Sequence, residues 1–121
     1  MNKLNKTYDL EERTARFGEN VIIMCKKLIV TPISKSVINQ VIRSSTSIGA
    51  NYMEANGASS KADFKNKIHI CKKESQETKH WLRMLTCIFP DKKDEFAVLW
   101  KEAQELTLIF SKIVSSLKIN K

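Results

Sequence analysis

A chain of 121 residues with 42% hydrophobic and 28% charged residues, three glycines and two prolines can bury a single core. It is too apolar for a disordered chain and too poor in breakers for an all-β fold. Its 21 Lys and Arg against 13 Asp and Glu give a formal charge of +8, which suits nucleic acid, an anionic surface or an acidic partner.

The opening MNKLNKTYDLEERTARFG has no apolar stretch of the kind a signal peptide needs. The longest apolar run, Val21 to Cys25, is far short of the roughly 20 residues that span a bilayer, so no membrane association is expected. Cys25, Cys71 and Cys87 are an odd number without a C-x-x-C pair. That argues against a disulfide framework or a zinc ribbon and favours a reduced, cytoplasmic setting. The charge is unevenly spread: residues 58–90 carry seven Lys and Arg against three Asp and Glu, more of the surplus than any other segment.

The first predicted helix covers residues 8–30. Leu10, Thr14, Phe17, Val21, Met24 and Leu28 alternate steps of four and three, the seam of a packed helix. Asp9 is the expected N-cap, with Glu11 and Glu12 in the first turn and Lys26 and Lys27 near the other end, as the helix dipole favours. Thr31-Pro32 interrupts it. A second helix is predicted over 33–56, where Ile38, Val41, Ile42, Ser45, Ile48, Tyr52 and Ala55 keep the spacing. Ser44, Ser45, Thr46, Ser47 and Gly49 are poor helix formers, and Gly49 alone costs about 1 kcal/mol relative to Ala. The apolar period nevertheless passes through them without a slip. This predicts a buried helix whose small residues admit a close neighbour. Asn56-Gly57 ends it, with Gly57 expected in the left-handed position.

The third helix is predicted over 60–89, with Ser60 as N-cap and Asp63 completing a capping box. Phe64, Ile68, Cys71, Ser75, Thr78, Leu82, Leu85 and Phe89 form its seam, and Pro90 closes it. A fourth helix, 92–117, begins after Asp91 or Asp94 as cap. Its seam is Phe96, Leu99, Ala103, Leu106, Phe110, Ile113 and Leu117. Four such helices joined by short turns predict one all-α domain, an up-down-up-down antiparallel four-helix bundle over 1–121.

The block RSSTSIGANYMEANGASSKADFKNKI, followed by CKKESQETKHWLRML, resembles the four-helix bundle proteins encoded within intervening sequences of bacterial 23S ribosomal RNA genes. DLEERTARFGENV and TPISKSVINQVIRS extend the resemblance over roughly residues 9–88; the fourth helix matches in pattern alone. Gly18 stands where that family usually has Ala, Ser75 replaces Ala, and His80 replaces an aromatic before Trp81. The resemblance implies a ring-shaped homopentamer. A related branch, the accessory protein of diversity-generating retroelements, implies nucleic acid and a reverse transcriptase as possible partners. It also places Arg43, Asn51, Glu54, Lys73, Glu74 and Glu77 on the family's motif positions.

Three constellations stand out. Arg43, Ser47, Asn51 and Glu54 form one stripe of the second helix, and Lys67, Ile70, Glu74, Glu77 and Trp81 a matching stripe of the third. Antiparallel packing would bring Arg43 to Glu77 and Glu54 to Lys67, a structural network or a subunit contact. Desolvated charges of this kind are costly to unpair, about 3–5 kcal/mol. Glu77-x-x-His80, with Glu54 and Glu74, has the i, i+3 spacing of dinuclear carboxylate sites. Those sites need a second such motif and acids from two further helices, so no metal or other cofactor is expected. Lys65, His69, Lys72, Gln76, Lys79 and Arg83 line one acid-free face of the third helix. That face is either solvated polar surface or a phosphate-tracking one. No aromatic lies among them, so contact with backbone rather than bases is expected. Trp81 and Trp100 are expected in packing or interfaces, and the three cysteines as inert buried thiols.

No P-loop, nucleophile elbow or H-E-x-x-H motif occurs, and an enzyme built on Glu54, Glu74 and Glu77 is the least favoured class. The expectation is a non-enzymatic, oligomeric accessory protein that binds RNA or DNA through the third helix. The alternative is a protein-interaction scaffold whose charge serves solubility.

Overall fold

In the computed structural model, residues 2–119 are described, with side chains described for 10–118. They form four helices, α1 (Asn2–Cys25), α2 (Pro32–Asn56), α3 (Lys61–Ile88) and α4 (Lys93–Ile119), with a 3₁₀ turn at Pro90–Lys92. The arrangement is all-α and up-down, as a four-helix bundle requires. The chain winds in order: α2 packs on α1 and α3, and α3 on α4, while the α1–α4 contact is the thinnest of the four between neighbouring helices.

The helix boundaries depart from expectation for local reasons. α1 starts at Asn2, so Asp9 lies inside the helix instead of capping it, and Glu11 and Glu12 are beyond its first turn. It ends at Cys25 rather than 30. Lys27 and Leu28 donate their N–H groups three residues back, to Met24 and Cys25 (both 3.1 Å), tightening the last turn. Leu28 still reaches the core. A capping box not foreseen from the sequence starts α2: Thr31 Oγ1 accepts from Ser34 N (3.1 Å), and Ser34 Oγ accepts from Thr31 N (2.8 Å). Ser34 Oγ also donates to Ile29 O (2.8 Å).

Gly57 does not take the left-handed conformation; its φ is −100°, and its N–H bonds to Glu54 O at 3.1 Å. Ser60 Oγ accepts from Asp63 N at 3.0 Å, half of the expected box. Asp91 sits within the 3₁₀ turn and Asp94 within the first turn of α4, so neither is the cap.

The core follows the predicted seams from Thr14 and Phe17 on α1 to Phe96, Leu106 and Phe110 on α4. Near its end α4 buries Val114, while Ile113 and Leu117 are half-buried. A 3.6-residue helix drifts against a strict heptad, and the last turns of α4 have rotated by that drift. The serine-rich part of α2 is helical because its hydroxyls find partners. Ser44 and Ser45 are fully buried and donate to Val41 O (3.4 Å) and Ile42 O (3.3 Å). Ser44 Oγ also accepts from Thr78 Oγ1 of α3 (2.8 Å). Among the described residues no buried side-chain polar atom lacks a hydrogen bond, so these hydroxyls carry no desolvation penalty of the unpaired kind.

Small residues set the α1–α2 spacing. A Cβ on Gly49 would stand 3.4 Å from the Thr14 carbonyl and from Ala15 N, and one on Gly18 would stand 3.4 Å from Thr46 Cα. Each glycine faces the other helix's backbone.

Candidate functional site

α3 presents two chemically different sides, one to α2 and one beside α4. On the α2 side, Arg43 reaches across to two carboxylates. Its Nη1 lies 3.3 Å from both Glu74 oxygens, and its Nη2 bonds Glu77. Trp81 Nε1 donates to the same Glu77 oxygen at 2.9 Å. Together with Arg43, it holds the Glu77 carboxyl below its ordinary range, the indole bond being the larger cause. At the far end Lys67 pairs with Glu54 at 2.8 Å, which raises the lysine. Asn51 stays outside this network, donating to Ser47 O and Oγ of its own helix (both 2.9 Å). Lys73 is exposed and lies within electrostatic reach of Glu77 without an ion pair.

The network is less buried than the stripes suggest. The Arg43 side chain is 47% exposed and that of Glu77 30%, both on the rim of the α2–α3 contact, while Glu74 beneath them is 12% exposed. The expected 3–5 kcal/mol for unpairing a buried charge therefore does not apply; Arg43→Ala should cost about 1 kcal/mol or less. Its pH dependence has a definite sign. A carboxylate with a depressed folded pKa stabilises the fold fully above the ordinary Glu range, and that contribution is lost as pH falls through the folded value. Urea midpoints of the native chain and of Trp81→Phe should thus differ most near neutral pH and converge on acidification. A constant gap would show that the indole–carboxylate bond contributes nothing.

Glu74 and Glu77 are committed to Arg43, and His80 stands exposed with its ring at the edge of Trp81 (centroids 4.9 Å apart). Among the described residues no three His, Cys, Asp or Glu side chains come together as a metal site. Burial pushes the Cys25 thiol up to about 11 and Cys71 to about 12, which disfavours the reactive thiolate at both. Cys87, by contrast, is exposed: the seam passes from Leu85 to Phe89 and leaves position 87 outward.

On the other side, His69, Gln76 and Arg83 are exposed and Lys65, Lys72 and Lys79 half-buried, in the row the spacing predicts. Arg13, Arg16, Lys27, Arg43 and Lys67 each meet a carboxylate. Among the described residues, Lys65, Lys72, Lys79 and Arg83 meet none. Of the acids of α4, Asp94 makes no ion pair, and the other three are engaged elsewhere, Glu95 with Lys27 and two with Arg13. Arg13 of α1 forks onto Glu102 (2.6 and 2.8 Å) and also reaches Glu105 (2.7 Å), tying both to the α1 side of α4. The row runs along the α3–α4 groove, and α4 adds residues that spacing along α3 did not reveal. Lys79 Nζ bonds Gln104 Oε1 and lies 5.3 Å from the centre of the Trp100 ring. Trp100 is 42% exposed, so the face does include an aromatic, contrary to expectation. A signal for it existed: counting outward from the Phe89–Lys92 turn brings Lys79 opposite the segment that holds Trp100 and Gln104.

A model of the 23S rRNA-intervening sequence protein family matches residues 6–114. The chain belongs to that family. No curated protein matches the chain. Among solved structures it is similar to a protein of unknown function from the S23 ribosomal protein family of Bacteroides thetaiotaomicron. The two share 29% identity with a TM-score of 0.80, over 91% of this chain and 98% of that one. The 23S rRNA-intervening sequence match takes in all of α2 and α3 and most of α4, and so includes both sides of α3 described above.

Proposed function

We propose that this protein is a non-enzymatic, cytoplasmic, oligomeric accessory protein that holds RNA or DNA by its backbone along the α3–α4 groove. The observation that carries the reading is the row Lys65, Lys72, Lys79 and Arg83, joined by His69: four permanent cations aligned on one acid-free face of α3, none of which meets a carboxylate among the described residues. Cations on one helix face with no acidic partner are available to phosphates, and repetition of the row in an oligomer would multiply a weak contact. Three free cysteines, two of them buried, fit a reducing compartment, and no helix among the described residues is long and apolar enough to cross a membrane.

The test is binding of labelled structured RNA and duplex DNA across a salt series, with mass followed by light scattering. Binding that weakens steeply with salt, by an assembly of defined mass, is the expected result; the homopentamer that the resemblance implies is the mass to look for. No binding at about 50 mM salt, where phosphate contacts are strong, would overturn the reading.

A second reading, a protein-interaction scaffold, has its own observation. Ile29, Val30 and Ile33 at the α1–α2 turn are 73%, 64% and 74% exposed, and Ile23 and Val98 are also exposed at that end of the bundle. Such a patch suits an apolar contact with another copy or with a protein partner such as a reverse transcriptase. Association through it would persist at high salt, unlike phosphate binding.

A further inference from the structure

The basic row ends at a recess between the last turns of α3 and the first turns of α4. Arg83 and Thr86 line it from α3, and Lys93, Asp94, Ala97 and Trp100 from α4. Its volume is about 450 Å³, within the range of small-ligand sites, roughly 300–1,000 Å³. Three features occur together there. Trp100 offers a half-exposed aromatic surface. Arg83 and Lys93 are exposed cations that pair with no carboxylate among the described residues. Asp94, equally exposed, is the one carboxylate among the residues lining it.

A pure phosphate site would have no use for an indole and would be weakened by a carboxylate. An apolar docking site would not gather three charges. A nucleotide uses all of them: its base packs on an aromatic ring, its phosphate meets guanidinium or ammonium, and its N–H groups donate to a carboxylate.

We infer that this recess receives one unpaired base of a single-stranded nucleic acid whose backbone continues along Lys79, Lys72 and Lys65. The inference rests on the reading of the α3 face as a nucleic-acid surface and adds the ligand class, single-stranded rather than duplex. In a duplex the bases are stacked on one another and their faces are closed to a side-chain ring. An unpaired base is free to leave the stack and lie against Trp100, on the part of the ring that Lys79 leaves open. Asp94 sets the orientation, because a carboxylate accepts from the base edge and repels the phosphate. The phosphate therefore lies toward Arg83 and Lys93.

Trp81→Phe leaves Trp100 as the sole tryptophan, since the chain has two. In that background, indole fluorescence is titrated with an unstructured RNA 12-mer, the DNA 12-mer of the same sequence, the RNA annealed to its complement, and inorganic polyphosphate. Both single strands should bind and quench Trp100. Duplex and polyphosphate should bind without quenching. In the otherwise native chain, Trp100→Ala should weaken single-strand binding about tenfold, as expected for loss of one stacked base, and leave polyphosphate binding unchanged. Trp100→Phe should restore most of the loss. A preference for RNA over DNA would bring the 2′-hydroxyl into the site; equal binding would confine recognition to base and phosphate.

If single strand and duplex bind alike and Trp100→Ala has no effect, the recess is not a base site, while the basic face stands. If no oligonucleotide binds at low salt, the face itself is refuted. Guanosine monophosphate at millimolar concentration then decides the recess separately, and absence of quenching refutes it too.

Discussion

Replacing Lys65, Lys72, Lys79 and Arg83 together by Gln should remove most of the salt dependence of nucleic-acid binding. Each phosphate neutralised on a single strand contributes about −0.7 to the slope of log K against log salt, so four give about −2.8. Raising salt fourfold, from about 50 to 200 mM, should then weaken the native protein about 50-fold per engaged subunit and the variant hardly at all. At the lower salt the variant should be the weaker binder by at least that factor. The fold should survive, because all four side chains lie outside the core. The largest structural loss is the contact of Lys79 with Gln104 and the Trp100 ring, about 0.5–1 kcal/mol. Thermal melts by circular dichroism check this. A variant that melts normally and keeps the native affinity and slope would show that phosphate is held elsewhere.

Gly49→Leu should destabilise the bundle, whereas Gly49→Ala should be close to neutral. A Cβ at this position meets the α1 backbone at 3.4 Å, an ordinary contact, and Ala recovers about 1 kcal/mol of helix propensity. Leu adds three more carbons toward the peptide groups of Thr14 and Ala15, which cannot rotate away as a side chain would. Forced apart, α1 and α2 lose packing worth about 1–3 kcal/mol. The α1–α4 contact is too thin to compensate. Urea denaturation of the two variants separates these outcomes. Equal stability of Leu and native proteins would mean that α1 shifts freely on α2. Gly18→Ala is a milder case of the same geometry, with Thr46 Cα and Cγ2 at 3.4 and 3.5 Å, and should likewise be tolerated.

Much of the α2–α3 side was legible in the sequence. Antiparallel neighbours with a short turn face each other in mirrored order, so Arg43 and Glu77, and Glu54 and Lys67, were placed opposite one another from spacing alone. What spacing could not supply was their exposure. Whether a stripe beside the seam is desolvated depends on how far the neighbouring helix rolls over it. Here the rim remains open at Arg43 and at Lys67–Glu54. The same limit explains Asn51, whose stripe position said nothing of its preference for the Ser47 carbonyl one turn back.

The amino-acid sequence alone determined the number and order of the helices and almost every core position. Apolar period and chain breaks are properties of neighbouring residues, and short turns leave antiparallel packing as the one economical arrangement. It also determined the acid-free row on α3, a consequence of helical pitch. Tertiary structure decided what stands beside that row: Trp100 and Gln104 from α4, Lys93 and Asp94 at the recess, and Glu102 and Glu105 drawn off by Arg13. Those neighbours depend on the rotation and register of α4 against α3. Counting from the turn brings the right segment of α4 opposite Lys79. Which of its side chains face α3 is set by interdigitation of whole helix faces, which the pattern of neither helix alone encodes.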